Sequence, residues 1–182
     1  MPANSPHPSF AAIPERNTGD NLLRTAQQIQ TQLSLMADTK ANIIITVSSI
    51  VLTLSLARLN DPDLRAGAAT LALFSLIALL LAILAVLPKY RPIRLRPGEP
   101  APPQFNLLFF GHFANLELED FLERMGRALR ADGSVYEAQA RDLYGQGRYL
   151  AQHKYPYLRI AYLFLLAGFL FACVVQAIVL LA

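Results

Sequence analysis

The stretch Ala41–Ala57, ANIIITVSSIVLTLSLA, decides the fold. Lys40 precedes it, Arg58 follows it, and none of its 17 residues is charged. A helix of this length covers about 25 Å, close to the thickness of the hydrocarbon core of a bilayer. The stretch therefore predicts a helix that crosses a membrane.

Two more uncharged stretches follow, residues 66–88 and 160–182, each of 23 residues. Charged residues make up only 16% of the chain, against about 25% in soluble domains. These features predict an all-α membrane protein with three transmembrane helices and a small helical cytoplasmic module between the second and third. Membrane lipid is then the first expected partner.

The chain divides into five predicted segments. They are a proline-rich disordered tail (1–18), a long juxtamembrane and first transmembrane helix (19–59), a second transmembrane helix (66–88), a basic linker with a helical module (89–157), and a third transmembrane helix (158–182). The first helix is expected to be continuous because no Pro or Gly occurs between Leu22 and Leu59.

Apolar residues recur at heptad spacing in the part of this helix that precedes the membrane: Leu22, Ala26, Ile29, Leu33 and Met36. Such a seam packs against other helices of the same chain or against a second copy of the protein. The pattern is too short to choose between these alternatives, and a homo-oligomer is one expectation.

Small residues at steps of three or four mark the second spanning helix: Ala68, Ala72, Ser75, Ala78, Ala82 and Ala85. Gly168, Ala172 and Gln176 likewise share one face of the third. Small residues let helices approach closely in lipid, and Gln176 can form a hydrogen bond with a neighbouring helix.

The loop between the second and third spanning helices contains many prolines and basic residues near its start. Six of the twelve prolines and four basic residues lie in residues 88–103, which predicts an extended linker at the membrane surface. The short apolar stretch Phe105–Phe113 is predicted to lie at the interface or under the cytoplasmic helices. Near the end of the loop, a kink is expected at Pro156.

Two helices are predicted in the rest of this loop. Asn115 is expected to cap the first, and Ser134 with Glu137 to form a capping box for the second. The residues expected to form the buried face of the first helix are Leu118, Phe121, Leu122, Met125 and Leu129.

Basic residues predict the orientation. Ten Lys and Arg residues lie in residues 88–157 and three in the first 40 residues, whereas the short turn between the first two spans has only two. The positive-inside rule therefore places the N-terminus and the long loop in the cytosol and the C-terminus outside. In a bacterium the protein would lie in the inner membrane.

Motifs of enzymes are missing from the sequence, which has no phosphate-binding glycine loop, no zinc-protease motif and no nucleophile elbow. With one cysteine and three scattered histidines, we expect no catalytic residues, no metal site and no cofactor, and a net charge of +3 gives no reason to expect nucleic-acid binding. Asp38 and Lys40 lie at the predicted membrane edge, either as simple anchors or as contacts to the cytoplasmic loop.

Three groups of residues resemble a known family. They are ADTKAN at Ala37–Asn42, Phe109–Gly111, and the residues leading into the last span, which are Asp142, Leu143, Tyr144, Lys154, Tyr155, Arg159, Ala161 and Tyr162. In their order and spacing around three spans, the chain resembles the transmembrane effectors of Pycsar anti-phage defence over about residues 25 to 170.

The resemblance implies a response to cyclic CMP or cyclic UMP made by a partner uridylate or cytidylate cyclase, followed by inner-membrane damage and abortive infection. A cyclic nucleotide needs a cation for its phosphate and an aromatic face for its base. The residues expected to supply them are Arg124, Arg127, Tyr144, Lys154 and Tyr155. Those expected to couple binding to the membrane are Asp38, Lys40, Pro156 and Arg159.

Two functions from other classes remain open at this point. The chain could anchor a partner protein at the membrane as a scaffold, or it could form a holin-like pore that needs no nucleotide. Toxicity without a cyclase would favour the pore.

The orientation gives a direct prediction. A cysteine introduced at Asp61, in a background without Cys173, should react with an impermeant maleimide added outside intact spheroplasts, and a cysteine at Ser134 should react only after permeabilisation. Labelling at Ser134 in intact spheroplasts would contradict the predicted orientation.

Overall fold

The computed structural model describes residues 17–88, 93, 95–96, 99–130 and 134–181. At residues 17 and 18 only the backbone is described. The described chain is helical. Helices account for 82% of the described residues, which contain no strand. The helices are α1 (Asn17–Ala57), α2 (Arg65–Val86), α3 (Phe110–Phe113), α4 (Leu118–Arg130), α5 (Ser134–Tyr149), a π-helical turn (Leu150–Lys154) and α6 (Tyr155–Leu181).

Three helical segments in the described part of the chain are long and apolar enough to cross a membrane. They lie in α1, in α2, and in the continuous segment Ser134–Leu181, whose apolar part is α6. This confirms the predicted all-α membrane fold. The helix α1 begins at Asn17, two residues before the predicted boundary, and residues 1–16 of the predicted tail lie outside the described residues.

The described residues form two compact units. The loop unit comprises residues 17–31 and 88–148, and the membrane unit comprises residues 32–87 and 149–181. Each unit therefore contains part of α1, and each is described by itself below.

Small side chains form the core of the membrane unit. The predicted stripe on α2 is confirmed at Ala72, Ser75, Ala78, Ala82 and Ala85, which are all buried. Ala37, Ala41 and Ile44 of α1 and Leu158 and Ala161 of α6 join Ala78 and Ala82 in one buried cluster. Because lipid is as apolar as the helices, close packing of small residues is the main attraction between them.

The close approach of α2 and α6 needs glycine at Gly168. A Cβ atom at this position would lie 2.6 Å from the Cβ of Phe74, which is too close for a real contact. Further along α6, Gln176 lies beside Gly67, and its Nε2 donates a hydrogen bond of 2.7 Å to the carbonyl of Asp63. Gly168, Ala172 and Gln176 thus share the face of α6 that contacts α2 and the turn before it.

The irregularity expected at Pro156 occurs just before it. Pro156 has no N–H to donate to the carbonyl four residues earlier. The preceding residues form a π-helical turn, in which the N–H of Tyr155 bonds to the carbonyl of Leu150, five residues back. A π-helical turn contains one extra residue, and it often marks a functional position.

The prediction for the buried face of α4 is wrong for its three leucines, whereas Phe121 and Met125 are half-buried. Leu118, Leu122 and Leu129 are 62%, 56% and 64% exposed, and the buried residues of α4 are Asp120 and Arg124. The physical reason is an ion pair between these two side chains, described below, which faces the interior of the loop unit. The three leucines consequently face outward.

Other local predictions have mixed outcomes. The helix α4 begins at Leu118, three residues after Asn115, so the predicted N-cap position is wrong. Ser134 opens α5, and its hydroxyl donates to the carbonyl of Ala128. In the heptad seam, Leu22, Ile29 and Met36 are 70%, 50% and 52% exposed, whereas Ala26 and Leu33 are half-buried. Of the four basic linker residues, Lys89, Arg91 and Arg94 lie outside the described residues.

Candidate functional site

A cavity of about 580 Å³ lies within the loop unit, between the segment around residues 101–107 and the helices α4 and α5. Four arginines line it: Arg124, Arg127, Arg130 and Arg141. Among its described lining residues only Glu137 is acidic. The described lining therefore carries more basic than acidic side chains, and the size of the cavity is within the usual range of about 300–1,000 Å³ for small-molecule sites.

Arg124 is the fixed cation of this cavity. Its side chain is only 8% exposed, its Nε bonds to Asp120 Oδ2 at 3.0 Å, and its Nη2 bonds to the carbonyl of Glu99 at 2.6 Å. The guanidinium carbon lies 5.9 Å from the ring centroid of Phe105. These contacts hold Arg124 in one orientation and attach α4 to the chain segment before α3.

The other three arginines are less constrained. Arg127 pairs with Glu123 at 2.9 Å, and both side chains are at least half exposed. Arg130 Nε donates to the carbonyl of Gly126, and Arg141 pairs with Glu137 at 2.6 Å while its Nη1 reaches the carbonyl of Pro103. The Arg127–Glu123 pair is exposed, and such pairs contribute at most about 1 kcal/mol, so the Arg127 guanidinium can turn towards an anion at low cost.

The segment of residues 105–112, of which residues 105–107 line the cavity, is held by polar contacts. Asn106 Nδ2 donates to Asp142 Oδ1 at 2.8 Å, and Gln146 Nε2 donates to Asp142 Oδ2 at 2.7 Å. His112 Nδ1 accepts a hydrogen bond of 2.9 Å from the backbone N–H of Asn106, and its ring stacks on Phe105. The loop is thereby positioned by a buried carboxylate and a neutral imidazole.

The five residues expected to bind a ligand do not share one site. Arg124 and Arg127 line the cavity, whereas Tyr144 is 68% exposed on α5 and does not line it. Lys154 and Tyr155 belong to the membrane unit and do not line the cavity either.

Lys154 instead forms a polar cluster with α1. Its Nζ donates to Ser34 Oγ at 2.9 Å and to the two carboxylate oxygens of Asp38 at 2.7 and 2.9 Å. The side chain of Lys154 is 11% exposed and that of Asp38 is 39% exposed. Tyr155 lies beside this cluster, with its hydroxyl 3.5 Å from the carbonyl of Leu33.

The remaining residues expected at the membrane edge are exposed. Lys40, Pro156 and Arg159 lie on the surface of the membrane unit. Asp38 contacts the chain segment that enters the last span, whereas Lys40, two positions away, is exposed. The π-helical turn that ends at Lys154 carries the other half of this contact.

Sequence reasoning did not assign the cavity itself. Phe105, Arg130 and Arg141 line it together with Arg124 and Arg127. The sequence feature that pointed to the cavity was the row of three arginines at steps of three on α4. Favourable interaction of basic residues with the dipole at a helix end explains the same row equally well. In the described part of the chain, no three His, Cys, Asp or Glu residues are grouped so that they could hold a metal ion.

Comparison with known proteins identifies a family. A family model described as the Pycsar effector protein domain matches residues 21–181. No curated protein and no solved structure matches the chain significantly.

The loop around His112 gives a prediction of pH dependence. Burial lowers the pKa of His112 below its usual value of 6.5. Protonation would also remove the acceptor for the Asn106 N–H. The unfolded chain then binds a proton more readily than the folded chain, so stability falls as pH drops below about 6.5.

The measurement is the melting temperature of the purified protein between pH 7.5 and pH 5.5. We expect a larger decrease for the wild type than for His112→Asn, whose amide oxygen can accept the same hydrogen bond without titrating. Equal decreases in the two proteins would show that His112 does not contribute.

Proposed function

Because the chain belongs to the Pycsar effector family, whose members act in anti-phage defence, we propose that it responds to a cyclic pyrimidine nucleotide, cCMP or cUMP. A partner cyclase makes the nucleotide on infection. The effector then impairs the inner membrane, and the infected cell dies before phage is released. It has no catalytic role in this scheme.

The arginine-lined cavity is the observation that carries the proposal. A cyclic nucleotide has one phosphate charge and a flat base, and guanidinium groups are well suited to phosphate oxygens. Arg127 and Arg141 are half exposed and can turn to the phosphate, while Arg124 supplies a fixed positive charge. Phe105 supplies apolar surface for the base.

Lys154 enters the proposal as a coupling residue. Its ammonium group already donates to Ser34 and Asp38, and a nucleotide would have to displace both. The ion pair joins α1 to the turn before α6, and both of these chain segments continue into the loop unit. Breaking or moving this pair is a way to change how α6 packs in the membrane.

Several copies must act together on the membrane. Three spanning helices in one chain cannot enclose an aqueous pore, because unpaired backbone groups are excluded from lipid and the helix surfaces are apolar. We therefore propose a homo-oligomer in the inner membrane, with the N-terminus and loop unit in the cytosol, where the cyclase product forms, and the C-terminus outside.

Nucleotide binding is tested by thermal stabilisation of the purified protein. We expect cCMP or cUMP to raise its melting temperature and linear CMP, linear UMP and cAMP to do so less. Arg127→Ala should weaken this stabilisation by about tenfold or more in nucleotide concentration, the usual effect of losing a charged hydrogen bond. The fold should survive, because Arg127 forms only an exposed ion pair.

The matched control is Arg24→Ala, an exposed arginine of the loop unit that does not line the cavity. If neither cyclic pyrimidine nucleotide stabilises the wild type, direct binding is wrong. Equal loss in Arg24→Ala and Arg127→Ala would remove the cavity as the site.

Coupling is tested in cells that co-express a pyrimidine cyclase, with a potential-sensitive dye. We expect Lys154→Ala to abolish depolarisation while the purified variant is still stabilised by nucleotide, and Asp38→Asn to behave in the same way. Lys40→Ala, at an exposed lysine nearby, should depolarise normally.

Normal depolarisation in Lys154→Ala would remove this residue from the mechanism. Depolarisation in cells without any cyclase would instead favour a pore that nucleotide does not control.

A further inference from the structure

An apolar stripe on the surface of the loop unit has no role in the function proposed above. It consists of Leu118, Leu122, Met125 and Leu129 on α4, spaced by four, three and four residues. Its three leucines are all more than half exposed. Residues at this spacing form a continuous seam that can pair with another helix.

The stripe faces outward because the opposite side of α4 is fixed. Arg124 bonds to Asp120 on its own helix and to the carbonyl of Glu99 in the preceding segment. Rotating α4 to bury its leucines would expose this ion pair and break the bond to Glu99. The stripe is therefore a stable surface of the unit.

Charges beside the stripe discriminate between a bilayer and a protein as its partner. Helices that lie on a bilayer carry Lys and Arg along their polar face. The residues that follow Leu118 and Leu122 are acidic, Glu119 and Glu123, and both are exposed. The helix α4 also exposes Arg127 and Arg130, so its polar face carries charges of both signs and not the Lys and Arg face of a helix that lies on a bilayer.

The same charges are complementary to those of an identical helix. Glu119 and Arg130 are about three turns apart, so they lie on the same side of the stripe at opposite ends. In an antiparallel pair related by a twofold axis, Glu119 of each copy lies next to Arg130 of the other. A parallel pair would place neither residue beside an opposite charge.

We propose that the apolar stripe is the surface on which two copies of this chain pair, with their α4 helices antiparallel. Leu118 of one copy packs near Leu129 of the other, and Leu122 packs near Met125. The proposal rests on the homo-oligomer proposed above and names one surface that forms it.

Cysteine cross-linking in membranes tests the arrangement. Leu118→Cys and Leu129→Cys are made in separate, differently tagged full-length chains that also carry Cys173→Ala, and the two are co-expressed and oxidised. We expect disulfides between position 118 of one chain and position 129 of the other, and few disulfides between identical positions, because a disulfide needs Cα atoms within about 7 Å. Dominant disulfides between identical positions, or none at all, would overturn the antiparallel pair.

A substitution on the stripe is the second test of the pairing surface. Leu122→Glu should abolish the cross-link and lower the mass of the detergent-solubilised protein, with an unchanged helix content by circular dichroism because Leu122 is exposed within one chain. Leu108→Glu, at a leucine of the same unit outside the stripe, should keep both the cross-link and the mass. Loss of the cross-link in Leu108→Glu alone would overturn the assignment of the surface.

The bilayer alternative has its own readout. A fluorophore on Leu122→Cys, in the Cys173→Ala background and in lipid nanodiscs, should not be quenched by lipids with a nitroxide on the acyl chain; strong quenching would assign the stripe to the bilayer.

Nucleotide stabilisation is measured on the same preparations. Cross-linking without stabilisation would overturn direct nucleotide binding but not the pair, and stabilisation without cross-linking would overturn the pair but not nucleotide binding.

Discussion

The hydrocarbon core of the membrane is the constraint on which the rest of the structure depends. It offers no water to backbone groups, so each candidate crossing is a helix, whose backbone groups bond to one another. It also gives apolar helices no hydrophobic reason to associate, so the membrane unit is held by close packing of small residues. The contact of Gly168 with Phe74 and the buried alanines of α2 are the direct result. Gln176 adds a hydrogen bond where α6 passes the turn before α2.

The contacts around Lys154 are formed by charged and polar side chains, unlike the close packing of small residues between the spanning helices. Lys154, Asp38 and Ser34 join two helices through charge, and removing one partner leaves the other without its hydrogen bonds. The adjoining π-helical turn contains one more residue than an α-helical turn would, and such turns often lie at functional positions. These contacts are therefore where the proposed coupling between nucleotide binding and the spanning helices would act.

In the loop unit, charge decides the packing more than apolar area does. The ion pair of Arg124 and Asp120 occupies the interior, although the leucines of α4 would gain from burial. A buried guanidinium also needs the carbonyl of Glu99, which only the preceding chain segment can provide. The same arrangement produces the arginine-lined cavity on one side of α4 and the apolar stripe on the other. One ion pair therefore links the proposed ligand site and the proposed pairing surface.

The sequence alone determined the three spanning helices, the length of α1 and the small-residue face of α2. These follow from uncharged length and from local periodicity, which depend on neighbouring residues in the chain. The family resemblance also followed from residues that can be read in order, and the family match supports it. The sequence could not assign the partner of Lys154, the residues that line the cavity, or the side of α4 that faces inward. Each depends on chain segments that are far apart in sequence, and the periodicity of a helix does not reveal what it packs against. An apolar stripe predicts that something covers it, but only the tertiary structure decided that the described residues of this chain leave its leucines exposed.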